Sequence, residues 1–150
     1  MRTRMTAALA CYGLVILLAL SFAGLYLLRS QFMPYHAVAI GASWPDLSPR
    51  YQALFLALMK VGGGGWLAVA GAMGALLLIP FRRKEPWARW AVTLIGLAAA
   101  VPTLYATLLV KARTPASPPW FGAAAAIGFL LVGFALSGPP RRTGSPGPGD

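Results

Sequence analysis

Apolar residues gather into four long runs, Met5–Leu28, Ala53–Ile79, Trp90–Val110 and Trp120–Leu136, and most charges fall in the gaps between them. The first run holds 24 residues and no charge, more than the roughly 20 that cross a bilayer core as a helix. So short a chain has too little polar surface to cover four such segments in water. The pattern predicts an all-α protein, an integral membrane four-helix bundle. Its helices are expected at about 5–28, 50–80, 87–110 and 119–137, forming one transmembrane domain over 1–137. Residues 138–150 are mostly Pro, Gly, Ser and Arg and read as a disordered cytoplasmic tail.

The gaps carry turn and cap signals. The longest, Arg29–Pro49, is expected outside, with turns at Met33-Pro34-Tyr35-His36 and Ser43-Trp44-Pro45-Asp46. Tyr35 and Trp44 suit a membrane interface. Ser48-Pro49 reads as a helix start, because Ser caps free N–H groups and Pro has none. An unbroken helix from Pro49 to Ile79 would be roughly 46 Å long, against a hydrocarbon core of about 30 Å. The four glycines Gly62–Gly65 are the expected break, each costing roughly 1 kcal/mol against Ala in a helix interior. The short link Phe81–Glu85 predicts a tight antiparallel hairpin, with Pro86 in the next helix's first turn. Pro102 should kink that helix, with Thr103 and Thr107 partly satisfying freed carbonyls. Ser117-Pro118-Pro119-Trp120 marks the last helix start. Gly96/Ala100, Gly122/Ala126 and Ala124/Gly128 are small pairs four apart, a spacing that lets helices approach closely.

Composition supports the membrane class, with 58% hydrophobic and 11% charged residues, where soluble domains carry about 25% charged. The net charge of +10 does not indicate nucleic acid, because the basic residues flank apolar segments instead of forming one patch. Four alternating crossings place eight basic residues on one side: Arg2, Arg4, Arg82, Arg83, Lys84, Arg89, Arg141 and Arg142. Arg29, Arg50, Lys111 and Arg113 fall on the other, with Lys60 near them. The positive-inside bias then puts both termini in the cytoplasm. Arg82, Arg83, Lys84 and Arg89 are the expected contacts for anionic lipid headgroups.

The single cysteine, Cys11, allows no intramolecular disulfide and reads as a small apolar residue. The run preceding it is too short for the lipoprotein-like Ala8-Leu9-Ala10-Cys11. Ser21-Phe22-Ala23 could pass as a signal-peptide cleavage site, which would remove Met1–Ala23. However, signal-peptide apolar regions hold only about 7–15 residues. A retained helix is expected.

Chemistry is constrained by scarcity. The only carboxylate side chains are Asp46, Glu85 and Asp150, none deep in an apolar run, which argues against proton-coupled transport through an intramembrane acid. Quinone-linked disulfide chemistry needs cysteine pairs, and headgroup transfer needs clustered acids for a metal. His36 is the sole histidine and cannot build a His-rich zinc site. A Ser43/His36/Asp46 triad is conceivable within the outer loop. Lys60 beside Gly62, Gly63, Gly64 and Gly65 is the sharpest feature. A lysine in apolar sequence is costly, and bare backbone can receive a ligand or another helix. The bland alternative is a snorkelling lysine and glycines used for packing.

The stretch Arg82-Arg83-Lys84-Glu85-Pro86-Trp87-Ala88-Arg89-Trp90 resembles links in uncharacterised four-helix bacterial inner-membrane proteins, including DoxX-like ones. The resemblance covers about a tenth of the chain and implies a multi-pass protein of the bacterial inner membrane, with no activity to carry over. The leading expectation is a non-enzymatic accessory or partner subunit without cofactor, forming a homo-oligomer or joining another membrane protein. One alternative is a transporter or binder of a small anionic or lipid-like ligand at Lys60 and Gly62–Gly65. Another is a redox component holding quinone or haem near His36.

Overall fold

The computed structural model describes residues 2–138 and contains only helices and their connections there. The chain forms α1 (Arg2–Leu28), α2 (Pro34–Ile40), α3 (Pro49–Leu76), α4 (Ala88–Arg113) and α5 (Trp120–Leu136). A 3-10 turn, Trp44–Asp46, precedes α3, and a π-helical turn, Leu77–Phe81, extends it. Three helical stretches are long and apolar enough to cross a membrane: Thr3–Leu28, Pro49–Phe81 and Ala88–Arg113. The fourth, α5, is apolar but shorter at 17 residues. The tail expected to be disordered, with Arg141 and Arg142, lies outside the described residues beyond Gly138.

The long helices form a ring. α1 packs on α3 and α5, and α4 packs on the same two. Contacts run in opposite senses along neighbours: Phe22 stacks on Trp66 while Tyr12 meets Phe81, and Gly122 faces Phe22 while Gly133 faces Tyr12. The bundle is therefore antiparallel throughout. Arg4 and the Arg82–Arg89 link lie at one end, with the C-terminus of α5. α2, the 3-10 turn and the 114–119 link lie at the other.

The core is concentrated near the first of these ends, where Tyr12, Met73, Val92 and Leu130 are fully buried. Tyr12 sets its ring edge-on to Phe81, with centroids 5.6 Å apart. Its hydroxyl lies 2.9 Å from Thr93 Oγ1. Thr93 donates its own hydrogen to Arg89 O at 2.8 Å, so Tyr12 is the donor to Thr93. This buried bond ties α1 to α4 across the ring.

Small residues provide the space for this packing. A Cβ on Gly96 would lie 2.6 Å from Leu130 Cδ2, and one on Gly133 would lie 3.1 Å from Tyr12 Cζ. Gly96/Ala100 and Gly122/Ala126 are all buried inside the bundle. Only the third pair points elsewhere: Gly128 is exposed and meets nothing within 4 Å. The outward faces carry large apolar side chains, among them Leu17, Leu58, Val61, Leu94, Tyr105 and Phe121.

Three local expectations need correction. First, α3 runs unbroken through Gly62–Gly65. A helix in apolar surroundings has no water to take over its backbone bonds, and Gly63 is used for close approach instead of a break. A Cβ there would sit 3.1 Å from the backbone nitrogen of Leu27 and 2.8 Å from Leu27 Cγ. Second, the outer gap contains α2 and the 3-10 turn, not turns alone. Pro34 starts α2 and Gly41 ends it in the left-handed region, at φ 68°. Third, within α4, which continues through Pro102, neither Thr103 nor Thr107 satisfies the carbonyl that Pro102 frees. Thr103 Oγ1 bonds Ala99 O at 2.8 Å, while Pro102's missing N–H frees the carbonyl of Ala98, one residue earlier.

The π turn has its own cause. Pro80 sits inside it, and proline clashes with the carbonyl four residues back. Widening the turn relieves that clash. Lys84, at φ 62°, then reverses the chain toward α4.

Candidate functional site

The end of the bundle opposite Tyr12 holds a cavity of about 420 Å³ between α1, α2, α3, α4 and the link before α5. That volume falls within the roughly 300–1,000 Å³ of small-molecule sites. The walls are built from the sequence upward. Phe22 and Tyr26, one helical turn apart on α1, both line it. Phe22 stacks on Trp66 of α3, with centroids 5.6 Å apart. Pro102, Thr103, Ala106 and Thr107 supply the α4 wall, and Pro118 and Pro119 the remaining side.

α2 contributes Tyr35 and His36. Its first turn fixes them, because His36 N donates to Met33 O at 2.8 Å while Met33 N donates to His36 Nδ1 at 3.3 Å. An aromatic cluster holds the turn down. Buried Phe32 meets Trp44 at 5.0 Å, Phe55 at 5.5 Å and His36 at 6.1 Å. Gln52 Nε2 donates to Trp44 O and Leu47 O, fastening the 3-10 turn to α3.

The cavity's polar groups are few and neutral. Nδ1 accepts from a backbone N–H, so the imidazole carries its hydrogen on Nε2. Burial lowers the pKa of His36 below its ordinary 6.5, which keeps the ring neutral at pH 7. Tyr26 and Tyr35 hydroxyls lie 2.6 Å apart. Burial, followed by this bond, raises the Tyr35 pKa, so Tyr35 stays un-ionised. Whichever hydroxyl accepts retains its own hydrogen. Thr103 and Thr107 spend theirs on backbone carbonyls. Three donors remain, His36 Nε2–H, Trp66 Nε1–H and one tyrosine O–H, and no cation lines the space.

A second, shallower groove of about 300 Å³ lies beside the cavity, between α3 and α4. It shares Trp66, Pro102 and Thr103 with the cavity and adds Gly62, Gly65, Val69, Ala98 and Ala99. The glycine run is thus divided by helical phase. Gly63 packs on α1, Gly62 and Gly65 line the groove, and Gly64 meets nothing within 4 Å.

Lys60 lines neither space. Its ammonium donates to Leu27 O and, at 2.8 Å, to Arg29 O. These carbonyls lie at the C-terminal end of α1, where backbone acceptors lack helical partners and a positive charge is favourable. Lys60 is therefore a cap supplied by a neighbouring helix. Replacing it with Met should lower the bundle's stability by about 1 kcal/mol, and Lys60→Arg should recover most of that. Thermal unfolding in detergent reads both; an unchanged Lys60→Met midpoint would contradict the capping role.

The conceivable triad is not assembled. Ser43 gives both its hydroxyl hydrogen and its N–H to Asp46 Oδ2, while His36 Nδ1 is bonded to Met33. No group of three or more His, Cys, Asp or Glu that could hold a metal occurs among the described residues.

Comparison with known protein families, curated proteins and solved structures gives no match.

Proposed function

We propose that this chain is a multi-pass protein of the bacterial inner membrane, both termini cytoplasmic, that binds a lipid-like ligand in the cavity walled by Phe22, Tyr26, Tyr35, His36 and Trp66. Membrane insertion is supported by the outward apolar faces and by helices of spanning length. The orientation rests on the basic link Arg82–Arg89, which would lie at the cytoplasmic face beside anionic headgroups. One observation carries the binding reading: an apolar, aromatic-walled space with a few converging donors and no charge.

This reading replaces the anionic ligand at Lys60, whose ammonium is occupied by α1 carbonyls. It also displaces the accessory subunit from first place, because two of the three small pairs behind that idea are buried within the chain itself. A partner role keeps two supports, the outward-facing Gly128 of the third pair and the open space beside Gly64, Gly71 and Gly74 on α3.

Native mass spectrometry of the protein released from mild detergent should show a lipid adduct. Ala106→Trp, which places bulk in the cavity, should remove it. An identical adduct pattern in both proteins would overturn the assignment.

A further inference from the structure

We infer that the ligand is a prenylated quinone, its ring in the cavity and its tail in the groove between α3 and α4. This rests on the lipid-binding reading above and names the class of lipid. The argument begins with charge. A phosphate seated in the cavity would have no cationic side chain as partner, because none lines it. The groups offered are donors with unspent hydrogens, His36 Nε2–H, Trp66 Nε1–H and one hydroxyl of the Tyr26–Tyr35 pair. Their complement is an uncharged head bearing acceptors. The walls then select its shape, because Phe22, Tyr26, Tyr35, His36 and Trp66 present flat rings, which favour a flat ring between them. A ring with carbonyl oxygens meets both demands.

The groove supplies the exit. It borders the cavity at Trp66, Pro102 and Thr103, which line both. Its sides are kept low by Gly62, Gly65, Ala98 and Ala99. Gly65, Ala98 and Pro102 are exposed on the bundle's flank, so a tail can leave sideways into the acyl region. Lipid is as apolar as the groove, so the groove adds little hydrophobic drive. Its contribution is steric: it lets the tail pass while the ring is seated.

The test uses the full chain in phosphatidylcholine nanodiscs. Decylubiquinone is titrated against tryptophan fluorescence, with Trp66→Phe as the control that isolates the cavity residue among the five tryptophans, and the tail-free ring 2,3-dimethoxy-5-methylbenzoquinone is titrated in parallel. Both should quench saturably. His36→Phe should weaken both by about five- to tenfold, and His36→Gln, which keeps an N–H, should restore much of the loss. Ala98→Leu should weaken only the decyl compound, because it narrows the groove and leaves the cavity alone. Non-saturable quenching, or equal affinity in wild type and all variants, overturns the inference. A lipid adduct lost in Ala106→Trp combined with no saturable quinone binding would reject the quinone and leave the broader reading standing. Loss of both would reject both.

Discussion

Gly63→Leu should be the most damaging single change in the glycine run. Even Ala would place its Cβ 2.8 Å from Leu27 Cγ, 3.0 Å from Tyr26 Cβ and 3.1 Å from the Leu27 nitrogen. The last is backbone and cannot rotate away, so α1 and α3 must separate. Overpacking costs typically about 1–3 kcal/mol, and Leu, pressed against main chain, should fall at or above the top of that range. The displaced helix also carries Phe22 and Tyr26, so the cavity should open with it. Gly64→Leu, where nothing lies within 4 Å, should leave stability nearly unchanged, or raise it through better helix propensity. Thermal unfolding in detergent compares them directly. Equal losses at both positions would show that the run acts through helix propensity and not through the Gly63 contact.

That contrast shows what a linear reading of the chain can and cannot resolve. Hydrophobic length and the Ser48-Pro49 start are enough to locate the four longer helices, because a segment's apolar content is a local property. The role of each glycine depends on which neighbour its helical phase presents it to, and that is settled only by packing. α2 was hidden for a similar reason. Seven residues are too few to show a convincing period, and its stability comes from Phe32, Trp44 and Phe55 gathered from three separate places. Lys60 stood out correctly as an anomaly, but its partners are carbonyls of Leu27 and Arg29. Backbone acceptors have no sequence signature.

The candidate cavity was visible only in part. His36 attracted notice as the sole histidine, and Gly62 and Gly65 as part of the run. Tyr26, Phe22 and Trp66 were missed because aromatic residues inside apolar runs look like ordinary core or lipid-facing side chains. The available signal was the four-residue spacing of Phe22 and Tyr26, which places both on one face of α1. Thr103 and Thr107 share that spacing on α4, where the sequence suggests partners for the carbonyl freed by Pro102; they bond Ala99 O, Thr103 O and Leu104 O instead. Their second role, lining the cavity, follows from α4 crossing opposite α2.

Tyr12→Ala should cost about 3–5 kcal/mol, the range for removing a large buried aromatic ring. Tyr12 has 0% of its surface exposed and touches three elements. Its ring packs on Phe81 of the π turn, fills the space left by Gly133 of α5, and carries the hydroxyl to Thr93 of α4. Tyr12→Phe separates these contributions. It keeps the ring and removes only the donor, and Thr93 still bonds Arg89 O, so the loss should be about 1 kcal/mol. Thr93→Val should cost more than Tyr12→Phe, because it leaves the Tyr12 hydroxyl buried with no acceptor. In the double variant that penalty disappears, so Tyr12→Phe/Thr93→Val should be more stable than Thr93→Val alone. Unfolding midpoints of the four proteins form the cycle. Strict additivity would mean that the two hydroxyls do not interact and that the α1–α4 contact is held by the ring alone.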